Sequence, residues 1–398
     1  MKDNVQVSVI IPAHNAENNI KECLNSIVYQ TLRDIEIICV NDGSTDATES
    51  IIRGFMKEDE RISIINQPNL YAGVARNAGM TNCHGKYMIF WDADDIFELT
   101  ALEELYRKIE EDQADICICD ADQYDDGSGQ ILKKSYLNME RIPEKLPFSI
   151  NDNPQFIFNF TTDVPWNKLL RREFVQKHEL QFQNLPRAND HYFVLLSLAL
   201  AQRITVVDKH LIKYRVNNEE SLTGNLSASP FCTYEALLAA KRALEELKIL
   251  DNEQIRKSFA NRALNSITYS MEKQSDFAAF KAVFDKMKSE GFLELGIEEK
   301  EADYYYAAKV YEKYSTLISK PLEEFLFFEY SEQKIQWQRL KIKCNLLFMK
   351  YERLKTQNKE LNKEFKKYKK ELEGIKKSRG YRILQVFYNL KRKIIFWR

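Results

Sequence analysis

The first 120 residues alternate between short apolar runs and amphipathic stretches. VSVIIPAHN reads as a buried strand running into a loop, and Asn18 to Gln30 follow with helical spacing. IEIICVNDGSTD repeats the unit, with Thr45 or Asp46 placed to cap the next helix. RISIINQ is a third strand, GVARNAGMTNC a third helix, and KYMIFWDADD a fourth strand. Leu99 to Glu111 has helical spacing and ADICICDA is a fifth strand. Continuous Val/Ile runs, without polar alternation, predict strands covered on both faces, hence an α/β fold with a mostly parallel, Rossmann-like sheet. Ligands of such sheets gather at the carboxyl ends of the strands. PAHN, NDGSTD and DADD all fall there, so the pattern predicts that three separated loops form one crevice.

Residues 121–225 begin irregularly and then carry VPWNKLLRREF, RANDHYFVLLSLALA and ITVVDKHLIKYRVNNEESLT. Residues 226–330 have the spacing of an all-helical add-on. From Trp337 the pattern becomes heptads. Trp337, Cys344, Tyr351, Asn358, Phe365 and Leu372 occupy one seam position, and Leu340, Leu347, Leu354, Leu361, Tyr368 and Ile375 the other. The 3-4 alternation predicts roughly 58 Å of helix over 331–375, either self-associating as a coiled coil in a homodimer or folded back on the preceding helices. Asn358 sits on the seam, where a polar residue can fix register. Beyond Glu373 no acidic residue remains, and 376–398 carries eight Lys or Arg. As a helix it would align Ile383, Phe387, Leu390, Ile394 and Trp397, the pattern of an interfacial segment on a membrane surface or of a docking helix in an oligomer.

Composition adds limits. The 398 residues suffice for two or three domains, and Lys+Arg 58 against Asp+Glu 59 gives the chain as a whole no nucleic-acid-binding character. Seven scattered cysteines without zinc-finger spacing fit a reducing compartment. The N-terminus lacks a signal-peptide layout, and the apolar stretch around Phe193 to Ala201 is far short of the roughly 20 residues a spanning helix needs. The expected location is cytoplasmic, with the basic tail as a peripheral contact on the inner face of the membrane.

The chemistry-bearing clusters sharpen this picture. Asp92 and Asp94 offer two hard carboxylates suited to Mg²⁺ or Mn²⁺ together with the oxygens of a nucleotide diphosphate. An isolated acidic loop is more often merely solvated; the apolar strand KYMIFW before it is what raises the chemical reading. Asp42 can accept a hydrogen bond from a pyrimidine N–H, while Gly43 permits the tight turn. Pro12 and Ala13 can wall a base, with His14 and Asn15 above. Arg76 can reach a diphosphate or brace DADD. Asp190 precedes a helix, where an aspartate also serves as an N-cap.

Together VSVIIPAHN, VNDGSTD, NLYAGVARNAG, FWDADD, VPWNKLLRREF and RANDHYF, in that order, resemble the bacterial family 2 glycosyltransferases of GT-A fold, over roughly residues 1–225. The resemblance implies a nucleotide-binding half at 1–120 and an acceptor half at 121–225. It implies that Pro12, Ala13 and Asp42 hold uracil, that Asn15 and Arg76 lie at the nucleotide, and that Asp92 touches ribose or metal. Asp94 would bind the metal, Asp95 orient a sugar hydroxyl, Trp166 line the sugar or acceptor pocket, and Lys168 stand near the phosphates. Asp190 would be the catalytic base of an inverting transfer from a UDP-sugar, galactose or glucose favoured, to a glycan, glycoprotein or lipid-linked acceptor. His14, Tyr71 and Asn189 depart from residues usual in the family, and Asn217 lies near where many members place a metal-binding His. A sugar nucleotidyltransferase is the rival enzyme reading, although PAHNAENN lacks its Gly-rich loop. A catalytically silent nucleotide-sugar-binding scaffold is the non-enzymatic one.

Overall fold

The computed structural model describes residues 5–216 and 228–377. It divides into two units, Met1–Leu322 and Glu323–Arg398. In the first, a nine-stranded sheet has the order β3-β2-β1-β4-β8-β6-β9-β5, with β7 paired to β6. The strands are β1 (Val7–Ala13), β2 (Ile35–Asp42), β3 (Ile62–Gln67), β4 (Tyr87–Phe90), β5 (Ile96–Phe97), β6 (Ile116–Asp125), β7 (Gln130–Leu132), β8 (Lys168–Arg171) and β9 (Ile204–Val216). β3, β2, β1 and β4 are all parallel. β8 then enters antiparallel between β4 and β6, and β6 and β9 run parallel again.

The hydrophobic patterning accounts for the parallel half. Every residue of β1 and β2 is buried, because α1 (Ile20–Val28), α2 (Thr48–Glu58), α3 (Tyr71–Thr81) and α4 (Ala101–Glu111) cover the sheet. α1 buries Ile20, Cys23, Leu24 and Ile27, an i, i+3, i+4, i+7 stripe. α4 does the same with Ala101, Leu102, Leu105 and Ile109. Each such aliphatic side chain contributes about 1.5–3 kcal/mol by leaving water. α5 (Arg172–Lys177) and α6 (Asp190–Leu200) follow β8, and α6 is buried nearly all round from Phe193 to Ala199. This is the GT-A type of domain, a mostly parallel sheet with a helical region after it.

That region consists of α7 (Cys232–Glu246), α8 (Glu253–Glu272), α9 (Phe277–Lys286), α10 (Phe292–Glu294) and α11 (Ala308–Ser319). It docks on the sheet domain through specific polar contacts: Asn159 Nδ2 donates to the Ser258 carbonyl at 2.7 Å, and Arg262 Nε to the Phe158 carbonyl at 2.6 Å. The second unit holds α12 (Leu322–Lys377), a single helix of 56 residues. The heptad side chains along it are exposed, from 52% at Leu372 to 70% at Trp337. No helix among the described residues is long and apolar enough to cross a membrane. Asn217 and the tail segment 378–398 lie outside the described residues.

Candidate active site

The carboxyl ends of β1, β2 and β4 meet as the pattern predicts. At the end of β2, Asp42 is buried, and one carboxylate oxygen accepts from Gln67 Nε2 at 2.7 Å and from the Leu70 amide at 2.9 Å. Its carbonyl accepts from His14 Nδ1 at 2.7 Å, so the ring proton lies on Nδ1 and Nε2 faces the amides of Asn15 and Asn69. Gly43 turns the chain at φ +69°, and a Cβ there would stand 2.6 Å from the Asn69 backbone nitrogen. Only glycine satisfies both conditions. Pro12 and Ala13 are buried at the end of β1. Asn15 is tied down: its side-chain oxygen accepts from the Thr45 amide at 2.8 Å, and its own amide donates to Ser44 Oγ. It clasps the β1 and β2 loops together. Neither Thr45 nor Asp46 stands at the cap of α2, which is Ala47; Asp46, one residue before it, accepts from the Thr48 amide at 3.0 Å.

β4 ends at Phe90, two residues before Asp92, so the acidic cluster is a loop hung on the strand. The deciding contact is Arg76, buried on α3. Its guanidinium pairs with Asp92 at 2.7 Å and donates to Asn189 Oδ1 at 3.1 Å. It thereby ties the β4 loop to the residue just before Asp190. Asp190 is the first residue of α6, with Asn189 at the cap position, and it is half-buried. Burial pushes its carboxyl above the ordinary range, although His191 and Arg76 pull the other way. His191 donates Nδ1–H to Asp163 at 2.7 Å. Burial works against the His191 charge, but Asp163 more than offsets it, and the imidazole is held above its usual range.

The acidic loop carries charge its own side chains do not cancel. Asp94 is pushed up to about 6, first by burial and then by Asp92. Asp95 is fully buried, and burial followed by Asp94 and Asp92 drives it well above the carboxylate range. One of its oxygens accepts from the Arg215 amide at 2.8 Å.

A model of glycosyl transferase family 2 matches residues 8–179. Glycosyltransferase GlyG of Streptococcus pneumoniae serotype 4 is 32% identical over 215 residues, covering 52% of this chain and 70% of GlyG. The chain belongs to glycosyl transferase family 2. Glycosyltransferase GlyA of the same organism is 35% identical over 218 residues, 53% of this chain but only 30% of GlyA's own length. Among solved structures, residues 1–349 of S. aureus TarS in complex with UDP-GlcNAc superpose with a TM-score of 0.54 at 20% identity, covering 78% of this chain and 92% of that one. At that identity the likeness is one of fold.

Within this family 2 domain the expected site residues fall into two groups. Pro12, Ala13 and Asp42 stand at the carboxyl ends of β1 and β2, Asp92 and Asp94 in the loop after β4, and Asp190 next to Asn189, which Arg76 joins to that loop. Arg76 and Asn15 act there as braces, Arg76 through both terminal guanidinium nitrogens while its buried Nε has no partner in the chain, and Asn15 through the Thr45 amide and Ser44. Three others are buried. Trp166 is 2% exposed, in an aromatic stack with Tyr214 (centroids 5.4 Å apart) and edge-on to Tyr136, so its ring backs a pocket without offering a free face. Lys168 is 1% exposed, and its ammonium donates to the carbonyls of Thr162 and Val164 (both 2.8 Å) and to Asn167 Oδ1 (2.9 Å). Burial pulls it down to about 7, which suits a clamp on the 161–167 loop and not a cation reaching for phosphate. Asp95 is fully buried beneath the loop, with one oxygen on the Arg215 amide of β9.

A divalent ion fits this donor set only in part. Asp92 and Asp94 are hard oxygen ligands with excess negative charge, which favours Mg²⁺ or Mn²⁺. Among the described residues, however, no three His, Cys, Asp or Glu side chains converge to hold a metal. Among the described residues the site offers at most this pair, which leaves the rest of the shell to a diphosphate and water.

Sequence reasoning missed Arg215. On β9 it supports the acidic loop three ways: its amide donates to Asp95, its Nε to the Asp94 carbonyl at 2.7 Å, and its guanidinium pairs with Glu22 at 2.6 Å and with Asp126. β9 also carries Asp208, Lys209, His210 and Lys213, so nothing in the strand's sequence set Arg215 apart.

Proposed function

We propose that this chain is an inverting, UDP-sugar-dependent glycosyltransferase that moves a hexose, galactose or glucose favoured, to a hydroxyl of a glycan, glycoprotein or lipid-linked saccharide. The observation that carries the reading is the Arg76 bridge from Asp92 to Asn189. It supports bringing the acidic loop and the candidate base, nearly a hundred residues apart in the chain, to one site. TarS, which shares the fold, is solved with UDP-GlcNAc and with UDP, and this supports a uridine donor.

In this mechanism Asp42 receives the uracil N–H while Pro12 and Ala13 wall the ring. Asp92 and Asp94 hold the divalent cation, which when bound offsets the charge of the departing diphosphate. Asp190 takes the proton from the acceptor hydroxyl as that oxygen bonds to the anomeric carbon. The bond from that carbon to the UDP oxygen breaks on the opposite face, so an α-linked donor gives a β-linked product. A carboxylate raised above its ordinary pKa is a stronger base than a solvated one. The Arg76–Asn189 contact fixes the first turn of α6 and so the base itself. The exposed heptads of α12 fit self-association into a homodimer, and the basic tail fits contact with an anionic membrane surface.

The experiment is a UDP-release assay over a panel of UDP-sugars with Mn²⁺, with and without oligosaccharide acceptors. Release of UDP from one hexose donor, stimulated by acceptor, supports the reading. Release of pyrophosphate from UTP with a sugar phosphate would support a nucleotidyltransferase, and UDP binding without turnover of any donor would support a scaffold.

A further inference from the structure

The sheet domain and the helical region enclose a second cavity of about 240 Å³, between residues 135–141 and 159–162 on one side and α8 with residues 305–310 on the other. No Asp or Glu lines it, while Tyr136, Tyr305 and Tyr306 supply aromatic surface. Many of its polar groups are already engaged. Arg262 is committed to the carbonyls of Phe158 and Thr161 and to Asp163, and Asn261 to the backbone of Lys257, Tyr304 and Tyr306.

What is left over is informative. Arg141 spends only Nη1, on the Asn159 carbonyl at 3.1 Å, with its guanidinium 5.1 Å from the Tyr306 ring centre. The Asn138 side chain accepts from the Glu140 amide, which leaves its own NH₂ to donate. Asn265 is exposed at the rim, and the Thr162 hydroxyl is buried without a hydrogen-bond partner in the chain. Aromatic faces for the C–H surface of a ring, with a guanidinium, amides and a hydroxyl for its oxygens, are the complement of a sugar. The volume lies below the roughly 300–1,000 Å³ of sites for drug-sized ligands, which limits the occupant to about one ring.

We propose that this cavity is a saccharide subsite that holds one pyranose unit of the acceptor, away from the ring whose hydroxyl reacts. The word acceptor rests on the transferase reading; the sugar-binding property does not. The cavity wall is continuous with the support of the base. Thr161 and Thr162 hold Arg262 and Lys168, Arg262 pairs with Asp163 at 3.3 Å, and Asp163 holds His191 beside Asp190. A ring seated here anchors the acceptor at a fixed offset from the reacting centre, so the helical region acts as the acceptor-side half of the site.

The test uses the full 398-residue chain saturated with UDP and diamagnetic Mg²⁺. Saturation-transfer NMR is run with methyl β-glucopyranoside, methyl β-galactopyranoside and methyl N-acetyl-β-glucosaminide, and binding of inorganic phosphate is read separately from its ³¹P line width. Ala307→Trp fills the cavity from an exposed lining position, and Asn265→Ala removes one rim amide without touching the core. At least one pyranoside should show transfer in the wild type, lose it in Ala307→Trp, and bind about fivefold more weakly in Asn265→Ala, the scale of one net hydrogen bond. UDP affinity should be the same in all three proteins. Pyranoside signals unchanged in both variants would overturn the assignment, as would binding of phosphate alone or of no pyranoside. Failure of the wild type to bind UDP would instead count against the transferase reading, so the two can fail separately.

Discussion

Asp94 and Asp190 are both carboxylates raised by burial, and pH separates their roles. A carboxylate held above its ordinary pKa favours its neutral form in the folded state, so its contribution to stability is present at low pH and lost as pH rises through the raised value. For Asp94 that loss falls around 6. Without metal, Asp94→Asn should therefore gain more in melting temperature over the wild type at about pH 8 than at about pH 5, where only part of the penalty has developed. With Mn²⁺ and UDP added at the higher pH, the wild type should be stabilised and the variant much less. Equal Mn²⁺/UDP stabilisation in the two proteins would remove Asp94 from the metal site. Asp190 acts in the opposite sense on turnover, because only its ionised form takes a proton. The acid limb of kcat/KM should have its midpoint above about 3.9, the ordinary Asp value, and should vanish in no variant that keeps Asp190. Legibility at this scale divided by partner distance. Asp42 and Asp190 stood out because one ends a strand and the other opens a helix, and Asp92 and Asp94 because they follow an apolar run. Arg215 was not, since its meaning lies in Asp95 and Glu22, 120 and 193 positions away.

Among the elements, the parallel half was readable because a strand buried on both faces is mostly apolar, as β4 is throughout and as β1 and β2 are apart from Ser8, Glu36 and the polar end Asn41–Asp42. The antiparallel insertions were harder. β5, β7 and β8 span two to four residues, too short for a period, and β8 is fixed by its neighbours β4 and β6. The start of α3 also differs from the pattern, beginning at Tyr71 and not at Gly73. Tyr71 has φ +71°, the left-handed region that disfavours a bulky side chain, and its ring is 43% exposed. The family's usual glycine would sit there without strain. Tyr71→Gly should stabilise the fold by about 1 kcal/mol, measured by urea denaturation, and change donor KM, because the segment borders the Asp42 loop. A loss of stability would mean that the tyrosine ring is held by contacts worth more than the strain it imposes.

At the scale of the whole molecule, the heptads predicted over 331–375 lie on α12, with both seam positions exposed. An apolar stripe left in water along so long a helix is stabilised by a second copy. Light scattering should give twice the chain mass for the full-length protein, and Leu347→Glu with Leu354→Glu should return it to a monomer that still binds UDP. A monomeric wild type would leave the stripe to another partner. The central claim is that remote aspartates converge on one donor site with Asp190 as its base. Asp190→Asn tests it most directly when calorimetric UDP affinity and UDP release are measured on the same preparation. The account predicts unchanged affinity within about twofold and turnover lower by about 10²–10⁴ or more. Turnover near the wild-type rate, or UDP affinity lost together with turnover, would contradict it.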